Sequence, residues 1–149
     1  MDIYTDGSGD NGQVNGISGY CVVMKNPAGD VIEHKAFKHS FTSNEMEWHA
    51  MIRAISMARA GDVIYSDSQL VVNQVNRRWK IKEPRMAEYA ARAFKLLEGK
   101  PGIRIVWVPR EKNPAGIHLE KHGPSSVATH ACISDLPEEE ARRSKNSPL

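Results

Sequence analysis

The amino-acid sequence predicts an α/β fold in which helices flank a mixed five-stranded sheet. Two observations carry this prediction: three strand-like segments open the chain, and helical and strand-like segments then alternate. Strands joined by a short turn pair antiparallel, whereas strands separated by a helix usually pair in parallel. The 149 residues suit one domain with a core of its own, and no internal repeat is visible.

The first three elements are expected to be strands over residues 1–6, 17–26 and 30–38. The sequence Asn26-Pro27-Ala28-Gly29-Asp30 is typical of a turn, so the second and third strands should form an antiparallel hairpin. The segment Asp6-Gly7-Ser8-Gly9 is interpreted as a glycine turn that ends the first strand.

A helix over about residues 44–60 is indicated by apolar residues that recur at three- and four-residue steps. Gly61 is expected to stop this helix. The short run over residues 62–66 predicts a central strand, which is followed by a helix over residues 68–77.

A charged linker over residues 77–83 leads to a helix over about residues 85–98 and a last strand over residues 103–108. A short helix then follows, with Asn113 as its N-cap and Pro114 at its first position. Residues 1–122 are assigned to one folded domain, and the polar residues 123–149 are expected to form a loosely attached or disordered tail.

Charge and cysteine content set few limits on function. Lys and Arg number 20 and Asp and Glu number 18, so the chain is only mildly basic and nucleic acid is neither required nor excluded. Cys21 and Cys132 fit neither a disulfide framework nor a zinc spacing, which suggests a reducing compartment. No segment reads as a leader or a membrane span, so a soluble cytoplasmic protein is expected.

Three acidic residues stand at informative places. Asp6 and Asp67 each follow a strand, and the carboxyl ends of neighbouring central strands meet at one edge of the sheet. Glu47 lies in the first turns of a helix. Each acid alone is explained by a turn, an N-cap or a solvated face. Together, three converging carboxylates repel one another unless divalent cations lie between them, which predicts a metal-dependent phosphoryl-transfer site.

Five segments resemble, in order and spacing, the motifs of the ribonuclease HI family. The three most specific are Asp2-Ile3-Tyr4-Thr5-Asp6-Gly7-Ser8, Thr42-Ser43-Asn44-Glu45-Met46-Glu47 and Ile64-Tyr65-Ser66-Asp67-Ser68. Residues 68–74 and 107–113 are similar as well, so the resemblance covers residues 1–122.

The resemblance implies an endonuclease that cuts the RNA strand of RNA–DNA hybrids and leaves 5′-phosphate and 3′-hydroxyl ends. Two Mg²⁺ ions, with Mn²⁺ as an alternative, would be held by Asp6, Glu47, Asp67 and a fourth acid. That fourth acid is missing, and Asn113 stands at the start of the last helix instead. Asn113 is interpreted either as a metal ligand through its amide oxygen or as a helix N-cap only.

The resemblance and the chemistry of RNA also suggest contacts to the substrate. Backbone amides near Gly7, together with Asn44 and Gln69, are expected to bind 2′-hydroxyl groups, which only RNA carries. The expected substrate-binding residues are Gly7, Ser8, Thr42, Ser43, Asn44, Gln69, Trp79 and Lys80.

Binding should be independent of base sequence, and the protein is expected to be a monomer. The chain resembles a compact form of the family, because it lacks room for the long basic helix with which some members bind substrate. The linker over residues 77–82 either replaces that helix in part or is a solvated loop. Many family members carry a histidine on the loop after the last strand, and this loop holds none. His118 and His122 lie on the following helix; they either turn toward the site or have a surface or capping role, and both are left outside the catalytic set.

Two rival interpretations stay open. The missing fourth acid would suit a non-catalytic module of the same fold that binds hybrids. A related nuclease that acts on DNA is the second alternative.

Overall fold

The computed structural model describes residues 1–9, 17–38 and 41–122, and it confirms the mixed five-stranded sheet. The strands are Asp2–Ser8 (β1), Ile17–Lys25 (β2), Val31–Lys38 (β3), Val63–Ser66 (β4) and Arg104–Trp107 (β5). Their order is β3-β2-β1-β4-β5, with β1 antiparallel to β2 and parallel to β4. The predicted tail, residues 123–149, lies outside the described residues, so its state and the domain boundary stay predictions.

Four α-helices flank the sheet in the described part of the chain. They are Ser43–Met57 (α1), Gln69–Val75 (α2), Pro84–Glu98 (α3) and Pro114–His122 (α4), and the short 3-10 turn Arg110–Lys112 precedes α4. A single helix, α3, lies between α2 and β5, as the compact form predicts. No helix among the described residues is long and apolar enough to cross a membrane.

The first strand continues past Asp6, so the predicted glycine turn is wrong. Gly7 pairs with Tyr20 and Ser8 pairs with Gly19 in the antiparallel ladder between β1 and β2. Glycine is needed here for a different reason, because a Cβ on Gly7 would lie 2.3 Å from the carbonyl carbon of Met46 in α1. The absence of a side chain lets the start of α1 touch the backbone of β1.

Helix α1 ends at Met57, and the predicted stop at Gly61 is also wrong. The ammonium group of Lys100 donates to the carbonyl oxygens of Ile55 at 2.7 Å and Ser56 at 2.8 Å. The Ile55 carbonyl also accepts from the N–H of Ala58 at 3.2 Å, but beyond this contact the carbonyls at the end of a helix lack the donors of a further turn. A side chain distant in sequence therefore closes α1, and Gly61 instead takes a φ of +86° in the turn before β4.

The start of α1 is fixed by a capping box. The Thr42 hydroxyl accepts from the Glu45 N–H, and the Glu45 carboxylate accepts from the Thr42 N–H. The same carboxylate accepts from the Tyr89 hydroxyl and the Arg85 guanidinium of α3, each at 3.0 Å. Burial opposes ionisation of Glu45, but these donors outweigh it and lower its pKa overall. Glu45 thus ties α1 to α3.

The two faces of the sheet have separate apolar clusters. One cluster joins strand residues such as Ile3, Ile64 and Ile105 to α1 and α3. The other joins Cys21 and Val23 of β2 to α4. Alternate residues of a strand point to opposite faces, which explains the division. Helices α1 and α4 therefore approach the carboxyl end of β1 from opposite sides.

Candidate metal centre

Asp6, Glu47 and Asp67 converge on one point at the edge of the sheet, as predicted. One oxygen from each carboxylate lies within 4.8 Å of those of the other two. Asp6 lies on β1, Glu47 lies on α1, and Asp67 directly follows β4. The parallel pairing of Thr5 with Ser66 places the two aspartates that follow them side by side.

Asp6 is the most buried member of the cluster, with 4% of its surface exposed. Burial and, after it, the neighbouring charge of Asp67 raise its pKa to about 7, although the positive charge of Arg110 opposes the shift. Asp6 therefore resists ionisation in the absence of a cation.

Glu47 is held by the backbone of β1. The N–H of Gly7 donates to Oε1 of Glu47 at 3.0 Å. Burial and then the charges of Asp6 and Asp67 raise the pKa of Glu47 well above its usual value. Crowded carboxylates with raised pKa values are the donor set that a hard divalent cation stabilises, so these residues fit the Mg²⁺ that the sequence predicts.

Asn113 is fully buried beside this cluster, and the structure confirms its role as N-cap. Its Oδ1 accepts from the N–H of Ala115 at 3.1 Å. Its Nδ2 donates to the carbonyl oxygen of Thr5 at 2.9 Å and to Oδ2 of Asp67 at 3.1 Å. The oxygen that was predicted to bind metal therefore faces the helix, and the group that faces the cluster is a donor.

Helix α4 approaches the carboxylates through Gly116, which sequence reasoning missed. A Cβ there would lie 3.2 Å from Oδ2 of Asp67 and 3.5 Å from Oδ2 of Asp6. Glu120, the one acid of α4, is exposed. Within the described residues the acidic cluster has three members. A glycine inside a helical segment was the available signal for this close approach.

The amides that were predicted to bind RNA sugars have partners inside the protein. The Gly7 N–H is taken by Glu47, and the Gly9 N–H donates to the hydroxyl of Ser43 at 3.3 Å. The Ser8 hydroxyl donates to the carbonyl oxygen of Gly9 at 3.4 Å. The amides of Gly7 and Gly9 therefore hold the start of α1 rather than face a ligand, which corrects the prediction for Gly7.

Three of the predicted substrate-binding residues, Thr42, Asn44 and Lys80, line one groove of about 670 Å³. The groove lies between the starts of α1 and α3 and one side of α2. Its other lining residues are Glu45, Leu70, Gln74, Lys82, Glu83, Arg85 and Met86. Leu70 and Gln74 were missed because their spacing on α2 was explained by packing on the core.

Gln69 and Trp79 are exposed but are not among the residues that line this groove. Trp79 has 47% of its surface exposed, which contradicts the alternative that it packs on the core. The role of both residues in substrate binding stays a prediction.

Two further residues near the cluster were not anticipated. The indole N–H of Trp107 donates to the carbonyl oxygen of Asp67 at 3.1 Å. Arg110 lies on the 3-10 turn, and its charge reaches Asp6. Trp107 opens a segment that resembles the family, but its contact with Asp67 depends on the register between β4 and β5, which the sequence does not reveal.

The ring of His118 packs against His34 of β3, with ring centroids 5.4 Å apart. This contact places His118 over the sheet face that α4 covers. The side chain of His122 lies outside the described residues.

Comparison with known proteins agrees with this geometry. Residues 5–122 match the profile of the family described as reverse transcriptase-like. A ribonuclease H of Clostridium botulinum is 38% identical over 80 residues, which cover 52% of this chain and 53% of that protein.

Solved structures share the fold. RNase H1 of the halophilic archaeon Halobacterium salinarum superposes with a TM-score of 0.68 at 26% identity, over 79% of this chain and 92% of that one. LC11-RNase H1, solved in complex with an RNA/DNA hybrid, gives a TM-score of 0.64 at 27% identity, over 79% and 91%. The chain thus belongs to the reverse transcriptase-like family and is a member of the ribonuclease H family. It spans between 28% and 53% of the length of the curated relatives it matches.

Proposed function

We propose that this protein is an endonuclease that hydrolyses the RNA strand of RNA–DNA hybrids with the help of divalent cations. The observation that carries the proposal is the convergence of Asp6, Glu47 and Asp67 within 4.8 Å, in a chain of the ribonuclease H family. The structure of LC11-RNase H1 with a hybrid supports this choice of substrate.

Asp6, Glu47 and Asp67 would hold Mg²⁺, with Mn²⁺ as an alternative and two ions per site. Divalent cations bound there supply activation of a water molecule and stabilisation of charge on the leaving oxygen. The water attacks phosphorus, the bond to the 3′ oxygen breaks, and the products carry a 5′-phosphate and a 3′-hydroxyl. Asp6, the most buried of the three acids, would be a ligand for these cations, and the positive charge of Arg110 favours its ionised form.

The groove beside α1 would take up part of the hybrid. Lys80 and Lys82 are exposed at its rim, and cations at such positions bind the phosphate backbone irrespective of base sequence. Asn44 lines the same groove two residues beyond Thr42, in the segment that also carries Glu47. Asn44 is therefore proposed to contact the sugar next to the cleaved bond.

A labelled RNA–DNA hybrid tests the proposal directly. The protein should cleave the RNA strand in Mg²⁺ or Mn²⁺ and leave duplex DNA and duplex RNA intact. Asp67→Asn serves as the control for a contaminating nuclease. Tight hybrid binding with no cleavage in either metal would support the non-catalytic alternative, to which the absence of a fourth acid among the described residues lends weight. Cleavage of duplex DNA would support the DNA-directed alternative.

A monomeric state and a cytoplasmic location belong to the same proposal. Size-exclusion chromatography with light scattering tests the first, and imaging of the tagged protein in its own cells tests the second.

A further inference from the structure

Asp67 differs from the other two acids because its backbone lies outside any strand or helix. Asp6 belongs to β1 and Glu47 to α1, whereas Asp67 lies in the turn between β4 and α2. Backbone within a strand or helix is held by the ladder of hydrogen bonds, and a turn residue lacks that constraint. A carboxylate at such a place needs other contacts if it is to keep one direction.

Two donors from other elements reach Asp67. The amide Nδ2 of Asn113 lies 3.1 Å from its carboxylate Oδ2, and the indole N–H of Trp107 lies 3.1 Å from its backbone carbonyl oxygen. We propose that Asn113 and Trp107 are positioning residues that hold Asp67 in the direction the metal cluster requires. The inference rests on the proposed function, because it concerns the same site.

The surroundings of Asn113 fix which way its amide faces. Ala115 presents an N–H, which only the amide oxygen can accept. Thr5 and Asp67 present oxygens, which only the amide nitrogen can bond. Rotating the amide by half a turn would place its nitrogen against the N–H of Ala115 and its oxygen against the oxygens of Thr5 and Asp67. The amide oxygen of Asn113 thus caps α4, and its nitrogen donates to Asp67 and to Thr5 of β1.

Trp107 acts from β5. It pairs with Ser66 in the parallel ladder between β4 and β5, so its ring lies next to the turn that begins at Asp67. The ring has 42% of its surface exposed, and packing alone therefore holds it weakly. Its N–H nevertheless has a defined acceptor, the carbonyl of a metal-site residue. A donor on the peptide and a donor on the carboxylate together restrict both ends of Asp67.

Two variants remove these donors, and Asn113→Ser also removes the hydrogen bond to the carbonyl oxygen of Thr5. Asn113→Ser keeps an oxygen that can cap α4 but is too short to reach Asp67. Trp107→Phe keeps an aromatic ring without the N–H. Asn76→Ser is a matched control, because Asn76 also donates an amide N–H to a backbone carbonyl, that of Ile105 at 2.8 Å, but away from the acids.

Mn²⁺ affinity, measured by calorimetry on the whole protein, gives a readout that does not depend on cleavage. Each donor variant should bind Mn²⁺ about ten- to a hundredfold more weakly, as is typical when groups that orient metal ligands are lost. Asn76→Ser should bind Mn²⁺ as the wild type does, even where its melting temperature falls by a similar amount.

Wild-type affinity in both donor variants would overturn the inference. Weaker binding in Asn113→Ser alone would also overturn it, because Trp107 would then play no part in holding Asp67. Should Asn113→Ser fail to fold, Trp107→Phe decides the question. A wild-type protein that binds Mn²⁺ but cleaves no hybrid would refute the proposed function and leave this test valid.

Discussion

The backbone N–H of Gly7 donates to Oε1 of Glu47 at 3.0 Å, across a contact too close for any side chain on Gly7. A Cβ there would lie 2.3 Å from the carbonyl carbon of Met46 and 2.5 Å from the backbone nitrogen of Glu47. This contact fixes the start of α1 against β1 and so brings Glu47 to Asp6. The acidic cluster therefore depends on a residue that carries no charge.

Gly7→Ala should destabilise the protein by about 3 kcal/mol or more, since backbone on both sides must move to admit the methyl group. Gly99→Ala is the matched control: the nearest atom to its Cβ would be the carbonyl oxygen of Leu96 at 3.9 Å, so stability should change little. Urea denaturation measures both. A Gly7→Ala protein as stable as the wild type would show that α1 can move away from β1 without loss of folding free energy.

Amide variants of the three acids should lose hybrid cleavage while they stay folded. Asp6→Asn, Glu47→Gln and Asp67→Asn each remove a charged metal ligand, and a loss of several kcal/mol in transition-state stabilisation corresponds to at least about a hundredfold in rate. Asp30→Asn is the control, because Asp30 pairs with Lys25 on the exposed hairpin. If one of the three variants kept near-wild-type turnover, the residue replaced in it would not be a metal ligand.

Metal-free protein should lose stability as pH rises from about 4 to about 7. The pKa of Asp6 rises from 3.8 to about 7 on folding, so over this interval the folded state binds a proton that the unfolded chain has lost. Rising pH then favours the unfolded chain. Asp6→Asn should flatten this dependence and raise the melting temperature at pH 7. Melting curves in a chelator, recorded across the interval, check both statements.

Loss of the groove lysines should weaken hybrid binding in a salt-dependent way. Lys80→Ala and Lys82→Ala should each lower the slope of log affinity against log salt by about one, because each removes one phosphate contact. Lys25→Ala, on the distant hairpin, should leave the slope unchanged. Fluorescence anisotropy with a labelled hybrid over a series of salt concentrations provides the measurement. Equal slopes for all three variants would place the hybrid elsewhere.

The order of elements and the meeting of Asp6 with Asp67 could be predicted from the sequence. Both follow from local periodicity and from the rule that parallel strands present their carboxyl ends at one edge. The end of α1 could not be predicted, because Lys100, 45 residues beyond Ile55, determines it. Local propensity contains no information about such a contact.

The two interpretations of Asn113 could not be separated by sequence either. Capping a helix and binding a cation both use an amide oxygen, so the residue type fits both roles. The choice is made by Thr5 and Asp67, which accept from the amide nitrogen across separations of 108 and 46 residues. Gly7 was misread for the same reason, since its requirement comes from α1 and not from a turn.

The hydrogen bond between Asn113 and Asp67 also has a consequence for the order in which the site forms during synthesis. All three acids have been made once synthesis passes Asp67, but the amide that reaches Asp67 arrives 46 residues later. A growing chain that ends before α4 holds the acids and lacks this donor. The loop between Asp67 and Asn113 can close only after α4 has been made, and the entropic cost of closing a loop rises only slowly with its length. The arrangement around Asp67 is therefore completed after synthesis has passed α4, when the rest of the sheet is already available to receive it.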